Sequence, residues 1–177
     1  MIRPKFDRLN LGCGVRKIEE WVNLDYNRMY KPDVVWNLNK LPLPFPKNSF
    51  VEIKCNHIIE HLDDILKFMK ELYRIGKNGC IIQIRYPHFS HRSAFADPTH
   101  KHYLSHASLQ YFENNHLEEP EALTHDVNFE TIFKKVRTGG GLFVDWIANM
   151  NPDFWERMGF KIEEVELWFK VIKNEDE

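Results

Sequence analysis

The feature that most constrains this chain is a pair of short segments, Leu9-Asn10-Leu11-Gly12-Cys13-Gly14 and Trp21-Val22-Asn23-Leu24-Asp25. The first reads as a buried strand that breaks at two glycines, and the second as another strand ending in a carboxylate. Glycines directly after a strand let the backbone approach a bound molecule closely, because no Cβ stands in the way. An acid at the tip of the neighbouring strand accepts two hydrogen bonds from a ribose diol. Together they point to a nucleoside-containing cofactor across the carboxyl ends of a parallel sheet. A dinucleotide fingerprint, Gly-x-Gly-x-x-Gly, would need a third glycine where Lys17 stands. Ten residues separate Gly14 from Asp25, whereas the dinucleotide acid sits roughly 20 residues on. So short a crossover leaves the first helix shortened or absent, with no helix N-terminus for a pyrophosphate. A nucleoside cofactor without phosphates fits better.

Further along, strand-like and helical segments alternate, which implies a largely parallel α/β sheet. Val34-Val35-Trp36 reads as a short third strand, and Val51-Glu52-Ile53-Lys54-Cys55 alternates as a strand should. Between them, three prolines in Leu41-Pro42-Leu43-Pro44-Phe45-Pro46 exclude regular structure. Asp63 or Asp64 caps a helix that carries Ile65, Leu66, Met69, Leu72 and Tyr73 on one face and stops at Gly76. Cys80-Ile81-Ile82-Gln83-Ile84 is the next strand, closed by Pro87. From Pro87 to about Leu104 the chain is polar, histidine-rich and without a period, and reads as an inserted loop. Ser105 caps a short helix ending near Phe112, residues 113–127 read as another loop, and Phe129–Arg137 as a strand. Gly139-Gly140-Gly141 is a flexible break, Asn151–Arg157 a short helix, and the alternation of Val165, Leu167, Phe169 and Val171 a final strand.

Composition narrows the partners. The chain has 177 residues, 43% hydrophobic and 28% charged, ordinary for one globular domain able to bury a core without metals or disulfides. A net charge of -2 and a pI of about 6.5 give no nucleic-acid footprint, and Lys134, Lys135 and Arg137 read as a solvated face. Cys13, Cys55 and Cys80, all in or beside strands, suggest reduced thiols and a cytoplasmic setting. Met1–Arg8 carries no apolar signal region, and no apolar run reaches the roughly 18–20 residues of a membrane helix.

In these residues the chain resembles the class I S-adenosylmethionine-dependent methyltransferases. Leu9–Gly14 resembles their motif I, and Trp21–Asp25 the second-strand ending of the branch with a curtailed first helix. Leu43-Pro44-Phe45, Asn48-Ser49-Phe50 and His57-Ile58-Ile59-Glu60-His61-Leu62 are similar to the segment around the fourth strand. Arg74-Ile75-Gly76-Lys77-Asn78-Gly79 is similar to the turn before the fifth, so the ordered signals cover residues 8–87. The resemblance implies one domain over residues 1–177, with a histidine-rich insertion at about 87–127. Its fold would be a Rossmann-like, doubly wound, mostly parallel sheet of about seven strands, the last antiparallel, with helices on both faces. It also implies S-adenosylmethionine as cofactor. Leu11, Gly12, Cys13 and Gly14 would pass its methionine moiety close to the backbone, Asp25 would bind the ribose, and Asn56 and His57 would face the methionine end. Asn37 stands where the family usually has an acid for the adenine amino group; its side-chain oxygen can still accept, and the backbone of Leu38 would complete that contact. His57–His61 also spells H-x-x-E-H, a zinc-peptidase motif. That motif lies inside a helix, whereas here it follows a strand, where the methyltransferase pattern accounts for it.

His88, His91, Asp97, His100, His102 and His106 fall within nineteen residues. Three readings stay open: surface polar residues, an acceptor pocket with one histidine as general base, or a metal site. Asp97-Pro98-Thr99-His100 also suits a turn. Among the six, His91, Asp97 and His100 are the expected catalytic residues on the acceptor side. The leading function is methyl transfer to a small-molecule acceptor, with no nucleic acid or membrane. The alternatives are a non-catalytic S-adenosylmethionine-binding module or partner subunit, and a metal-dependent hydrolase built on the histidines. Cover for the cofactor would come from the histidine loop, residues 113–127, or a second subunit in a homodimer.

Overall fold

Short apolar runs become strands where alternate side chains meet a common core. The computed structural model describes residues 1–113 and 127–174, so most of the loop read at 113–127 lies outside the described residues. The strands are β1 (Arg8–Leu11), β2 (Val22–Asp25), β3 (Val34–Val35), β4 (Phe50–Asn56), β5 (Gly76–Pro87), β6 (Phe129–Arg137) and β7 (Glu164–Val171). They form one sheet of order β3-β2-β1-β4-β5-β7-β6. The pairs among β1 to β5 are parallel, while β7 runs antiparallel to both β5 and β6. Growth of the sheet reverses between β3 and β4, which leaves the carboxyl ends of β1 and β4 flanking a switch point, the usual ligand crevice of such sheets.

Register separates the two faces. The rows Leu9–Ile53–Ile82–Phe169 and Leu11–Cys55–Ile84–Leu167 are paired across four strands and fully buried. One residue along, the rows Asn10–Lys54–Gln83–Trp168 and Asn56–Arg85–Glu166 are polar, because successive side chains alternate faces. On that polar side Arg85 Nη2 meets Glu166 Oε2 at 2.9 Å, and Lys54 Nζ lies 4.6 Å from the centre of the Trp21 ring. Trp21 comes from the β1–β2 crossover, which contains no helix, in line with the short Gly14–Asp25 spacing.

Helix α1 (Ile65–Ile75) starts at Asp64, not Asp63: the Asp64 carboxylate accepts from the Lys67 N–H at 2.9 Å. It buries Phe68, Met69, Leu72 and Ile75, and the ring series Tyr73–Phe129–Phe169 ties it to the apolar face. Gly76 ends the helix and opens β5 at once. The histidine-rich insertion carries a one-turn helix α2 (Ser93–Ala96) and a 3₁₀ turn at Ser108–Phe112, two residues beyond the turn that Ser105 organises by accepting from the Ala107 N–H.

The glycine break leads straight into helix α3 (Leu142–Met150), a segment without a visible stripe in the sequence. Leu142, Phe143 and Trp146 are exposed, so burial does not impose a helical period on it. Its Asn149 side chain gives and takes a hydrogen bond at Val136, each 2.8 Å, and so satisfies part of the open edge of β6. Helix α4 (Pro152–Arg157) is capped by Asn151 and begins with proline, as helix starts favour. Among the described residues no helix is long and apolar enough to cross a membrane.

Candidate active site

A cleft of about 710 Å³ opens at the carboxyl ends of β1, β2 and β4. Gly12, Asp25, Asn37, Leu38 and His57 line it, while Leu11, Cys13, Gly14 and Asn56 sit beside it without lining it. Gly12 has φ +58°, and a Cβ there would fall 2.0 Å from Ile58 Cδ1. Both backbone and space therefore demand glycine at this wall. At Gly14 the demand is conformational alone: φ is +50° and a Cβ would meet nothing within 4 Å.

Asp25 is buried at the tip of β2. Its Oδ2 accepts from the Gly14 N–H and its Oδ1 from the Asn27 N–H, each at 2.8 Å. The glycine loop thus aims the carboxylate, and each oxygen keeps acceptor capacity for one more donor. A diol supplies two such donors. At the far end the Asn37 side-chain oxygen accepts from the Asn39 N–H at 3.0 Å, leaving one lone pair toward the cleft side.

His57 occupies a left-handed conformation, φ +53°, that a non-glycine residue adopts at a cost of order 1–3 kcal/mol. Its Nε2 is 3.0 Å from Glu164 Oε2 and its Nδ1 is 3.4 Å from Glu60 Oε1. The hydrogen bond to Glu164, and then the nearby Glu60 carboxylate, raises its pKa to about 9 against the opposing effect of burial. At neutral pH it is therefore an imidazolium, a donor and not a base. The same contact holds the Glu164 carboxyl below its ordinary range.

On the opposite wall stand His61, Asp97, Pro98 and Thr99. Asp97 Oδ1 accepts from the Thr99 hydroxyl at 2.6 Å and from its N–H at 2.9 Å, which lowers the Asp97 carboxyl. His100 lies just behind, with its ring 4.6 Å from that of His61. His91 is outside the lining: Nδ1 meets Ser93 Oγ at 2.7 Å and Nε2 lies 3.5 Å from Glu163.

The family model for a methyltransferase domain matches residues 20–84, the span that carries Asp25, Asn37, His57 and Glu60. The whole described fold, including the reversed β7, is that of solved methyltransferases. Residues 20–84 are thus similar to a methyltransferase domain, and the fold is the Rossmann-like fold of solved S-adenosylmethionine-dependent methyltransferases. Among similar structures is a SAM-dependent methyltransferase from Archaeoglobus fulgidus, at 22% identity and TM-score 0.58, covering 94% of this chain and 86% of that one. One from Mesorhizobium loti matches at 12% identity and TM-score 0.59, covering 92% and 89%. Another from Methanosarcina mazei matches at 16% identity and TM-score 0.59, covering 97% and 95%. Among curated proteins none matches.

Within this cleft the sequence did not reveal two site carboxylates. Glu60 is 1% exposed, and its motif placed it after the fourth strand without showing that burial. Glu164 reaches His57 from 107 residues away, a distance no local pattern encodes. Thr99 was visible only as part of a turn, although its hydroxyl bridges Asp97 and His61.

Proposed function

We propose that the protein is a methyltransferase that transfers the methyl group of S-adenosylmethionine to a small-molecule acceptor entering along the wall of Asp97 and Thr99. The observation that carries the reading is the Asp25 carboxylate, aimed by the Gly14 N–H into a cleft whose floor at Gly12 has no room for a Cβ. When bound, the cofactor supplies a sulfonium-activated methyl group. The chain's part is positioning. Asp25 accepts from the ribose hydroxyls, Leu38 and the remaining Asn37 lone pair meet the adenine, and Gly12 lets the methionine portion lie against backbone. The His57 imidazolium balances Glu60 and Glu164 at the methionine end. Holding the two reactants in line is worth up to about 7–11 kcal/mol of barrier.

No observation favours a non-catalytic binding module or a hydrolase. The three cysteines are free and buried, and burial pushes the Cys80 thiol up to about 12; such inert thiols support a cytoplasmic setting. Calorimetric titration with S-adenosylhomocysteine tests the reading. One site per chain is expected, weakened about 100-fold or more in Asp25→Ala, which removes two charge-assisted hydrogen bonds. A folded protein that binds none, or binds equally well after Asp25→Ala, would overturn it.

A further inference from the structure

The acceptor wall of the cleft holds a constellation that cofactor binding does not use. Among the described residues neither oxygen of the buried Glu60 carboxylate has a hydrogen-bond partner, and its charged neighbour is His57, Nδ1 to Oε1 at 3.4 Å. A buried carboxylate left in this state is costly unless something binds it. One potential ligand atom each from Glu60, His61 and His100 lie within 4.8 Å of one another.

The two imidazoles are prepared by their other nitrogens. The Thr99 hydroxyl donates to Asp97 Oδ1 at 2.6 Å, so the Thr99 oxygen accepts from His61 Nδ1 at 2.9 Å. His100 Nδ1 donates to the Ala94 carbonyl at 2.8 Å. In both rings the proton is fixed on Nδ1, and Nε2 keeps its lone pair. That is how metal-binding histidines are oriented by their outer partners. Asp97 Oδ2, 4.0 Å from His100 Nε2, sets a further oxygen donor beside the group.

We propose that Glu60, His61 and His100 bind a divalent transition-metal ion, and that this ion holds the methyl acceptor through a hydroxyl oxygen. Two imidazoles with one carboxylate suit zinc, manganese, iron or cobalt and not magnesium or calcium. Three protein ligands leave coordination positions open toward the cleft, which His61 lines. A hydroxyl on such an ion loses its proton readily, here to solvent. Its oxygen then forms a bond to the methyl carbon as the carbon–sulfur bond breaks. The electron pair of that bond stays on sulfur, leaving a neutral thioether and a methyl ether. The acceptor class is accordingly an alcohol, phenol or sugar hydroxyl. This inference rests on the methyltransferase reading of the cleft for the transfer step, though not for the metal site.

The test is calorimetric titration of the chelator-stripped full chain with Zn²⁺ and with Mn²⁺, each alone and then with S-adenosylhomocysteine. One metal site per chain is expected, weakened at least 100-fold in Glu60→Gln and in His100→Ala, and about 10-fold in Thr99→Ala, which frees the His61 tautomer. S-adenosylhomocysteine affinity in His100→Ala and Thr99→Ala, expected within a few-fold of wild type, shows that these fold, and a wild-type circular dichroism spectrum shows it for Glu60→Gln. Cofactor binding without a metal site, or a metal site indifferent to all three substitutions, overturns the inference and leaves the methyltransferase reading standing. A metal site with this variant pattern but no cofactor binding supports the ion and overturns the transfer role; binding of neither overturns both.

Discussion

Two groups in this molecule have the same composition, two histidines and one glutamate, and opposite states of commitment. In the first, Glu156 Oε2 lies 3.3 Å from His88 Nε2 and also bonds His106 Nδ1. His106 Nε2 is held by Asp153 at 2.8 Å, and His88 Nδ1 accepts from the Ser90 N–H at 3.2 Å. Every ring nitrogen is taken, and the group fastens the start of the insertion to α4. In the second, among the described residues, the Glu60 carboxylate has no hydrogen bond, while His61 and His100 are engaged through Nδ1. Composition alone therefore does not distinguish a strut from a site. What distinguishes them is which atoms are still open, and toward which space.

The sharpest way to break this comparison is to remove each glutamate. Glu156→Ala strands two buried imidazoles and should lower the unfolding free energy by about 3–5 kcal/mol in a urea titration. Glu60→Gln removes a buried carboxylate whose charged neighbour is the half-exposed His57, and should change stability by no more than about 1 kcal/mol. Equal losses would mean that both groups are struts. A somewhat smaller effect, about 1–3 kcal/mol of stability together with weakened S-adenosylhomocysteine binding, is expected for Gly12→Ala, which forces a Cβ against Ile58 at positive φ.

The strut also carries a pH signature. Burial, more than the opposing Glu156, holds the His88 pKa below its ordinary value near 6.5. The unfolded chain therefore binds this proton more readily than the native one, and stability rises with pH across that window. The His88 contribution is fully present above about pH 6.5 and is lost as pH falls toward and below the folded value. Urea midpoints at pH 7.5 and 5.5 should converge in His88→Asn relative to wild type; a larger wild-type midpoint at pH 5.5 than at 7.5 from this residue would have the wrong sign. The smallest effect, about 1 kcal/mol, belongs to Ser90→Ala, because the Ser90 hydroxyl also links His88 to Ile162.

Much of the fold was legible because it is written locally. Leu9–Leu11, Val165–Val171 and the apolar face of α1 are strand and helix patterns that burial enforces, and the Gly14–Asp25 spacing announced a crossover without a helix. The same holds for one wall of the cleft: Gly12 and Asp25, which line it, are tied to strand ends, and strand ends are visible. Helix α3 escaped notice because it exposes Leu142, Phe143 and Trp146 and so shows no stripe. The histidines showed their number but not their roles. His88 meets a partner 68 residues away and His61 one 38 residues away, and only the assembled chain decides which nitrogens remain open.

In the proposed complex the cofactor lies with its adenine at Asn37 and Leu38 and its methyl group toward the Glu60, His61 and His100 wall. Nuclear magnetic relaxation of bound S-adenosylmethionine, carrying a ¹³C-labelled methyl group, measures this directly when one equivalent of Mn²⁺ is added. The methyl signal is expected to broaden far more than the adenine protons, with the difference disappearing in His100→Ala. Equal broadening of both ends, or a methyl signal untouched by manganese, would contradict it.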